Sequence, residues 1–278
     1  NNPEKIVLRA SLHNSGQGSF ESPVFNTNVR QMIKDLHRHQ QHILSQAKTK
    51  DRVLNMLYLG ADQFINRRQS GSADVNSSAS LSDKRYLDQK FTILAGFPWF
   101  ADWGRDAFIS LPGLLLSTER FLEAKSVLTT FAGAADDGMI PNRFDDRSDT
   151  AYFNSIDSSL WFINAAFSYL SATDDNRTFT SDLLPVIRWI VDSYQKGTRF
   201  NIRADQDGLI TGGDAHTQLT WMDAKYQNIA FTPRFGKAVE VNALWYNSLC
   251  LLAQFYLDRD VETANHFHSL ADKVEKSF

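Results

Sequence analysis

Apolar residues recur every three or four positions along most of the chain, which is the spacing of one face of an α-helix. The stripes that they form cover residues 29–44, 53–65, 121–131, 156–170, 183–194, 241–255 and 261–274. A short helix is also expected after Arg105, so the sequence predicts about eight helices. Thr118 and Asp260 precede two of the stripes as helix caps, and Gly197 is placed to end a third helix. The pattern predicts an all-α protein.

Strand-like patterns are few. Residues 5–12 and 90–97 each form a short apolar run, but neither alternates with helices in a βαβ order, so no parallel sheet is expected. The stretch 66–82 is rich in Ser, Asn and Gly and is predicted to be a loop or hairpin. We therefore divide the chain into an N-terminal extended or β segment with a linker, residues 1–27, and a helical domain, residues 28–278.

Composition excludes several classes of function. The chain has 278 residues, 42% hydrophobic and 22% charged residues and a net charge of −3, so it has no basic surface for nucleic acid. No apolar run approaches the roughly 18 residues of a membrane span. The seven histidines lack the spacing of a metal site, and the aspartates around Asp136 lack the ligand spacing of a calcium loop. The sequence predicts no metal and no cofactor.

The loop "PWFADWGRD" (98–106) combines aromatic and charged residues that neither a buried core nor a solvated loop favours. Arg105 and Asp106 offer a fixed fork of donors and a carboxylate acceptor, and Trp103 offers a flat apolar face. Sugars present adjacent hydroxyls and apolar C–H faces, so this combination suits a carbohydrate. The alternative, which the spacing favours equally, is a salt-bridged helix start with Asp106 as the cap. Asp102 has no evident role: it either binds sugar or holds Arg105.

Two further loops carry polar residues of the same kind. "IPNRFDD" places Asn142 and Arg143 directly after a proline, and alone it indicates only a polar turn. "NSIDSSLWF" places Asp157 and Trp161 four residues apart, hence on one face of a helix. Ser155 caps that helix but does not explain why a carboxylate and a large aromatic share a face.

The loop "QLTWMDAK" (218–225) contains the strongest candidate for catalysis. Asp223 stands between Met222 and Ala224, close to Trp221, and apolar neighbours raise the pKa of a carboxyl group. A carboxyl that keeps its proton beside a sugar acts as a general acid in glycoside cleavage. The alternative is an aspartate that stabilises a turn. Glu240, at the start of the next helix, gains a functional interpretation only from Asp223.

Together these loops resemble a known family. "AGFPWFADWGRDAFISLPGL", "GMIPNRF", "YFNSIDSSLWF", "QLTWMDAK" and "TPRFGKAVEVNALWYNSL" are similar, in this order and over residues 53–256, to the amylo-α-1,6-glucosidase domain of glycogen debranching enzymes, especially the bacterial and archaeal type. The resemblance implies an (α/α)6 toroid of inner and outer helices. It also implies inverting hydrolysis of the α-1,6-linked glucose at branch points of glycogen or limit dextrin, in the cytoplasm and without a cofactor.

The resemblance also implies roles for individual residues. The aspartate of the "TWMD" motif is the family's general acid, which corresponds to Asp223. The residues implied to bind the substrate are Trp103, Arg105, Asp106, Asn142, Arg143, Asp157, Trp161, Trp221 and Glu240.

In one respect the chain departs from the family. The family's general base is a glutamate well downstream, so we expect it beyond Phe278 and predict an incomplete barrel with a short N-terminal β remnant. Three alternatives follow: a debranching glucosidase, a related (α/α)6 glucosidase acting on α-1,4 glucan or a disaccharide, and a catalytically incomplete fragment that binds glycogen or maltooligosaccharide. Apolar surface left open on an incomplete barrel also predicts dimers.

Overall fold

The computed structural model describes residues 29–68, 90–96, 102–145 and 150–278. These ranges contain eight α-helices of eight residues or more, namely α1 (Val29–Gln46), α2 (Arg52–Asp62), α3 (Gly104–Leu111), α4 (Phe121–Gly133), α5 (Asp157–Thr173), α6 (Leu184–Lys196), α7 (Val239–Tyr256) and α8 (Val261–Ser277). Every helix that the apolar spacing predicted is present, and the described part of the chain is predominantly helical.

The described strands are short and all pair antiparallel. They form four two-stranded ribbons: β1 (Ile65–Arg68) with β2 (Lys90–Ile93), β3 (Arg143–Phe144) with β4 (Ala151–Tyr152), β5 (Arg203–Ala204) with β6 (Ile210–Thr211), and β7 (Lys225–Tyr226) with β8 (Ile229–Ala230). The strand predicted over 90–97 is therefore found over its first four residues. The strand predicted over 5–12 lies outside the described residues.

The chain divides into two compact units, Asn1–Gln41 and His42–Phe278, so α1 begins in one unit and ends in the other. The boundary proposed at residues 27 and 28 stays a prediction, because residues 1–28 are not described. No helix in the described ranges combines the length and the apolar character needed to cross a membrane.

The core of the second unit forms where α5 packs between α3 and α7. Phe108 of α3 contacts Phe131 of α4 and Phe162 of α5 edge to face, with ring centroids 4.9 and 5.4 Å apart. All three rings are fully enclosed or nearly so. Replacing such a ring by alanine costs about 3–5 kcal/mol of stability, because the cavity that it leaves cannot collapse completely.

Local chemistry explains where the helices begin and end. Asp260 accepts a hydrogen bond from the Thr263 amide at 3.2 Å and caps α8, and Gly197 ends α6 with a φ of 110° that favours glycine. The prediction that Thr118 caps α4 is wrong. Its hydroxyl donates instead to the Leu114 carbonyl at 2.7 Å, in the π-helical turn Pro112–Leu116 that extends α3.

The beginnings of the helices matter for the site that follows. Arg105, in the first turn of α3, contacts Asp157, the first residue of α5. Gly104 permits this approach, since a Cβ there would lie 2.4 Å from the Pro141 carbonyl oxygen and 2.7 Å from the Ser158 hydroxyl. The first turns of α3 and α5 are thereby brought together.

Candidate active site

A buried guanidinium organises the site. Arg105 is only 7% exposed, and it donates to both carboxylate oxygens of Asp157, from Nε at 2.8 Å and from Nη2 at 2.9 Å. Nη2 also donates to the Ser155 hydroxyl at 3.2 Å, and that hydroxyl donates to Asp157 at 2.5 Å. Because both charges are enclosed and held by several hydrogen bonds, the geometry of this pair is rigid.

The third donor of Arg105 faces Asp223. Nη1 lies 3.0 Å from Oδ2 of Asp223, whose side chain is 27% exposed and so remains accessible from solvent. The sequence separates these two residues by more than a hundred positions, yet the structure places them in direct contact. One guanidinium therefore holds a fully buried carboxylate on one side and an accessible carboxylate on the other.

The surroundings of Asp223 differ from those that its sequence neighbours suggested. Trp221 is 58% exposed and Ala224 is also exposed, so these residues do not enclose the carboxyl group. Its immediate partner is the charged Arg105 instead. The geometry therefore does not show the apolar enclosure of Asp223 that the sequence suggested. It shows instead an accessible carboxyl group beside a fixed donor.

Asp106 is a second carboxyl group at this end of α3. The capping position of α3 is occupied by Trp103, which provides no side-chain cap, so Asp106 lies in the first turn and is not the cap. Although much of Asp106 is exposed, partial burial of its carboxyl raises the pKa of Asp106 above its ordinary value, and the charge of Arg105 opposes that effect. The negative charges of Asp223 and Asp157 add to the increase.

Aromatic and cationic side chains stack beside this charged centre. Trp103 pairs with Arg143 of β3 in a single antiparallel bridge. The guanidinium carbon of Arg143 lies 5.7 Å from the Trp103 ring centroid and 4.6 Å from the centroid of Tyr152 on β4. Tyr152 was not identified from the sequence, since only the register of the β3–β4 pair, Arg143 opposite Tyr152, reveals the contact.

Asn142 and Asp102 are too deeply buried to line a pocket that is open to solvent. The Asn142 side chain is fully buried, and within the described ranges neither its oxygen nor its nitrogen has a hydrogen-bond partner. Asp102 is 5% exposed and accepts a hydrogen bond from the hydroxyl of Thr92 on β2. Its backbone oxygen also accepts from Phe144 at 3.1 Å, so the structure favours a supporting role for Asp102.

A second arginine, which the sequence interpretation missed, holds Glu240. Both nitrogens of the Arg234 fork donate to the Glu240 carboxylate, and the Nη2 contact measures 2.8 Å. These hydrogen bonds, helped by the charge of Arg105, lower the pKa of Glu240 below its ordinary value. Arg234 also lies 5.9 Å from the Trp221 ring centroid. Arg234 occurs in "TPRFGKAVE", six residues before Glu240, and this spacing matches no regular helical or strand pairing from which the contact could have been predicted.

The remaining predicted residue is Trp161. It lies one turn after Asp157 on α5, half-buried, and packs against the hydrophobic core. The structure thus brings Arg105, Asp157 and Asp223 into direct contact and places Asp106 and Glu240 within electrostatic range of Arg105. Trp103 and Arg143 form a separate stack, and Trp221 connects to the site through Arg234.

Comparison with known proteins identifies the family. The family model described as amylo-alpha-1,6-glucosidase matches residues 59–278. The glycogen debranching enzyme of Saccharomyces cerevisiae is 30% identical over an aligned length of 217 residues, and the match covers 57% of this chain and 14% of the yeast enzyme. The chain thus spans only a small part of that relative's length.

Two solved structures match the chain. A metal-independent alpha mannosidase from Streptococcus pneumoniae, in a complex with alpha-1,6-mannobiose, has a TM-score of 0.51 at 11% identity and covers 87% of this chain and 62% of its own. A rhamnosidase from Klebsiella oxytoca with rhamnose bound has a TM-score of 0.49 at 19% identity, covering 63% and 32%. The mannosidase likeness concerns the fold alone, and with the family match it confirms the predicted all-α, (α/α)6-type class.

Proposed function

The chain belongs to the amylo-alpha-1,6-glucosidase family, and from this premise we propose that the protein hydrolyses the α-1,6-linked glucose at branch points of glycogen or limit dextrin. The glycoside hydrolase type follows from the family, whereas the linkage, the inverting course and the cytoplasmic location are part of the proposal. The debranching activity named for the yeast relative supports the choice of substrate.

The observation that carries the proposal is the shared guanidinium. Arg105 is fixed by the buried Asp157 and directs Nη1 at Asp223, so the accessible carboxyl group has a defined position without being enclosed. A general acid needs such a position, because it must reach the glycosidic oxygen of a bound sugar. We assign Asp223 as the general acid.

The contact with Arg105 has a consequence for this mechanism. Nη1 holds Oδ2 of Asp223 at 3.0 Å. A sugar hydroxyl that accepts a hydrogen bond from Nη1 competes with Oδ2 for this donor. In this proposal Arg105 therefore binds the terminal glucose and positions the carboxyl group of Asp223.

The neighbouring groups have matching roles. Asp106 accepts a hydrogen bond from a sugar hydroxyl, and the rings of Trp103 and Trp221 pack against the apolar face of the sugar. Arg143 stacks with Trp103. The buried Asn142 and Asp157 and the half-buried Trp161 support the site from within the protein. Glu240 orients Arg234 beneath Trp221. The general base is assigned to none of the described residues.

The test compares substrates and then removes the acid. The full-length protein should release glucose from limit dextrin faster than from a linear maltooligosaccharide, and the first product should be the β-anomer by nuclear magnetic resonance, since inversion changes the configuration of the α-linked sugar. Asp223→Asn should remain folded and lose this activity. Faster hydrolysis of the linear substrate would favour an α-1,4 glucosidase, and full activity of Asp223→Asn would remove it as the acid.

A further inference from the structure

An exposed apolar surface begins next to Asp223. The β7–β8 hairpin turns through Gln227 and Asn228, whose φ values of 45° and 67° are those of a two-residue turn that follows the strand twist. Tyr226 lies opposite Ile229 in the strand register, and the Phe231 amide donates to the Ala224 carbonyl at 3.1 Å, which continues the ladder by one pair. The hairpin is therefore well defined in register.

The register divides the hairpin into two faces. Because side chains alternate along a strand, one face contains Ala224, Tyr226, Ile229 and Phe231, and the other contains Lys225 and Ala230. Tyr226, Ile229 and Phe231 are 64, 64 and 65% exposed, whereas Ala230 is buried against the protein. We call the first group the hairpin face. Soluble proteins rarely leave such neighbouring large apolar side chains in water unless they bind something.

Three features indicate what this face binds. First, Asp223 is three residues from Tyr226, so the face starts within roughly 10 Å of the proposed acid along the strand. Second, the face contains the aromatic rings of Tyr226 and Phe231, Trp221 and Phe235 nearby in the sequence are also exposed, and flat rings suit the C–H faces of sugars. Third, the face has no charged side chain, since Lys225 lies on the opposite side, and glucan chains are uncharged. Exposed Gln227 and Asn228 at the turn can pair with hydroxyls.

We propose that the hairpin face binds the glucan chain on the leaving-group side of the bond that Asp223 protonates. This inference rests on the proposed function, because it takes the acid at Asp223 as the point where the chain is cut. It adds a prediction of substrate length: the protein should bind several linked glucose units more tightly than glucose itself, and the gain should depend on Tyr226 and Phe231.

The experiment measures binding without turnover. Calorimetry compares glucose with maltoheptaose for the natural protein, for the double variant Tyr226→Ala with Phe231→Ala, and for the control Trp189→Ala. Trp189 is an aromatic residue of α6 that is 43% exposed. We expect the double variant to bind maltoheptaose about tenfold more weakly, the usual consequence of losing an aromatic contact, with glucose binding and the control unchanged.

The outcomes separate this inference from the proposed function. Unchanged maltoheptaose affinity in the double variant overturns the inference, and so does a dimer that dissociates only in that variant, because the face would then bind protein. Tyr226-dependent binding without any release of glucose from limit dextrin sustains glucan binding by the hairpin face, but rejects the proposed function and with it the assignment of the face to the leaving-group side. Since these side chains are exposed, the double variant should keep its melting temperature. The single variant Tyr226→Ser is a milder substitution, which should also keep its melting temperature and bind maltoheptaose more weakly.

Discussion

The two carboxylates that share Arg105 should differ strongly in their importance for stability. Asp157 is 2% exposed and receives two hydrogen bonds from the guanidinium, whereas Asp223 is 27% exposed and receives one. Replacing either by asparagine removes one negative charge and keeps the shape of the side chain. The pair of variants therefore isolates the effect of burial and bond number on the same partner.

The expected magnitudes follow from those contacts. Breaking a buried ion pair costs about 3–5 kcal/mol, because the remaining charge stays enclosed without its partner. Asp157→Asn should lie near 3 kcal/mol, at the low end of that range, since Asp223 still faces Arg105. Asp223→Asn should cost about 1 kcal/mol or less, as for partly exposed pairs. Its effect should appear instead in catalysis.

The assay is urea unfolding followed by far-ultraviolet circular dichroism. Asp192→Asn, which removes an exposed carboxylate 4.0 Å from Lys196, is the control and should leave the midpoint unchanged. The denaturant slope should be equal in all variants, so that midpoints report stability. Equal destabilisation by Asp157→Asn and Asp223→Asn, or a larger loss for Asp223→Asn, would refute the distinction between a structural and a functional carboxylate.

Three further predictions concern single positions. Asp175 accepts hydrogen bonds from Thr178, which hold the pKa of Asp175 below its ordinary value. This stabilisation is present above the unfolded pKa of about 3.9 and is lost as the pH falls through the folded pKa. Asp175→Ala should therefore cost about 1–2 kcal/mol of stability in urea unfolding at pH 7 and progressively less in acid. Gly104→Ala should lower stability by about 1–3 kcal/mol in the same assay, since its Cβ would lie 2.4 Å from the Pro141 oxygen. Asp106→Asn should raise the melting temperature at pH 7 while weakening glucose binding in calorimetry, because burial raises the pKa of this carboxyl and neutral asparagine avoids that penalty.

Much of the helical fold could be predicted from periodicity and caps. The stripe over 261–274, with Asp260 before it, appears as α8 with that cap in place, and Gly197 ends α6 as expected. Periodicity indicates which face of a helix is apolar but not what covers it. Val53 and Leu57 of α2 belong to a predicted buried stripe, yet both are exposed.

The site was predictable as a set of residues and not as a set of contacts. Aromatic and charged loops suggested Arg105 and Asp223, but their pairing depends on the packing of α3, α5 and the loop before β7. The same is true of Arg234, whose role appears only in its two hydrogen bonds to Glu240. Local sequence could not reveal that the neighbour of Asp223 is a cation, because that neighbour comes from a distant part of the chain.

The most direct test of the assignment of Asp223 compares two substrates for the variant Asp223→Asn. Limit dextrin has a poor leaving group that needs a proton, whereas α-glucosyl fluoride releases fluoride without one. The account predicts that Asp223→Asn hydrolyses limit dextrin about 10²–10⁴-fold more slowly than the natural protein and hydrolyses the fluoride at nearly the natural rate. Equal losses of rate on both substrates in Asp223→Asn would contradict the assignment of Asp223. So would an Asp106→Asn variant that is slow on limit dextrin but hydrolyses the fluoride at nearly the natural rate, if Asp223→Asn does not behave in this way.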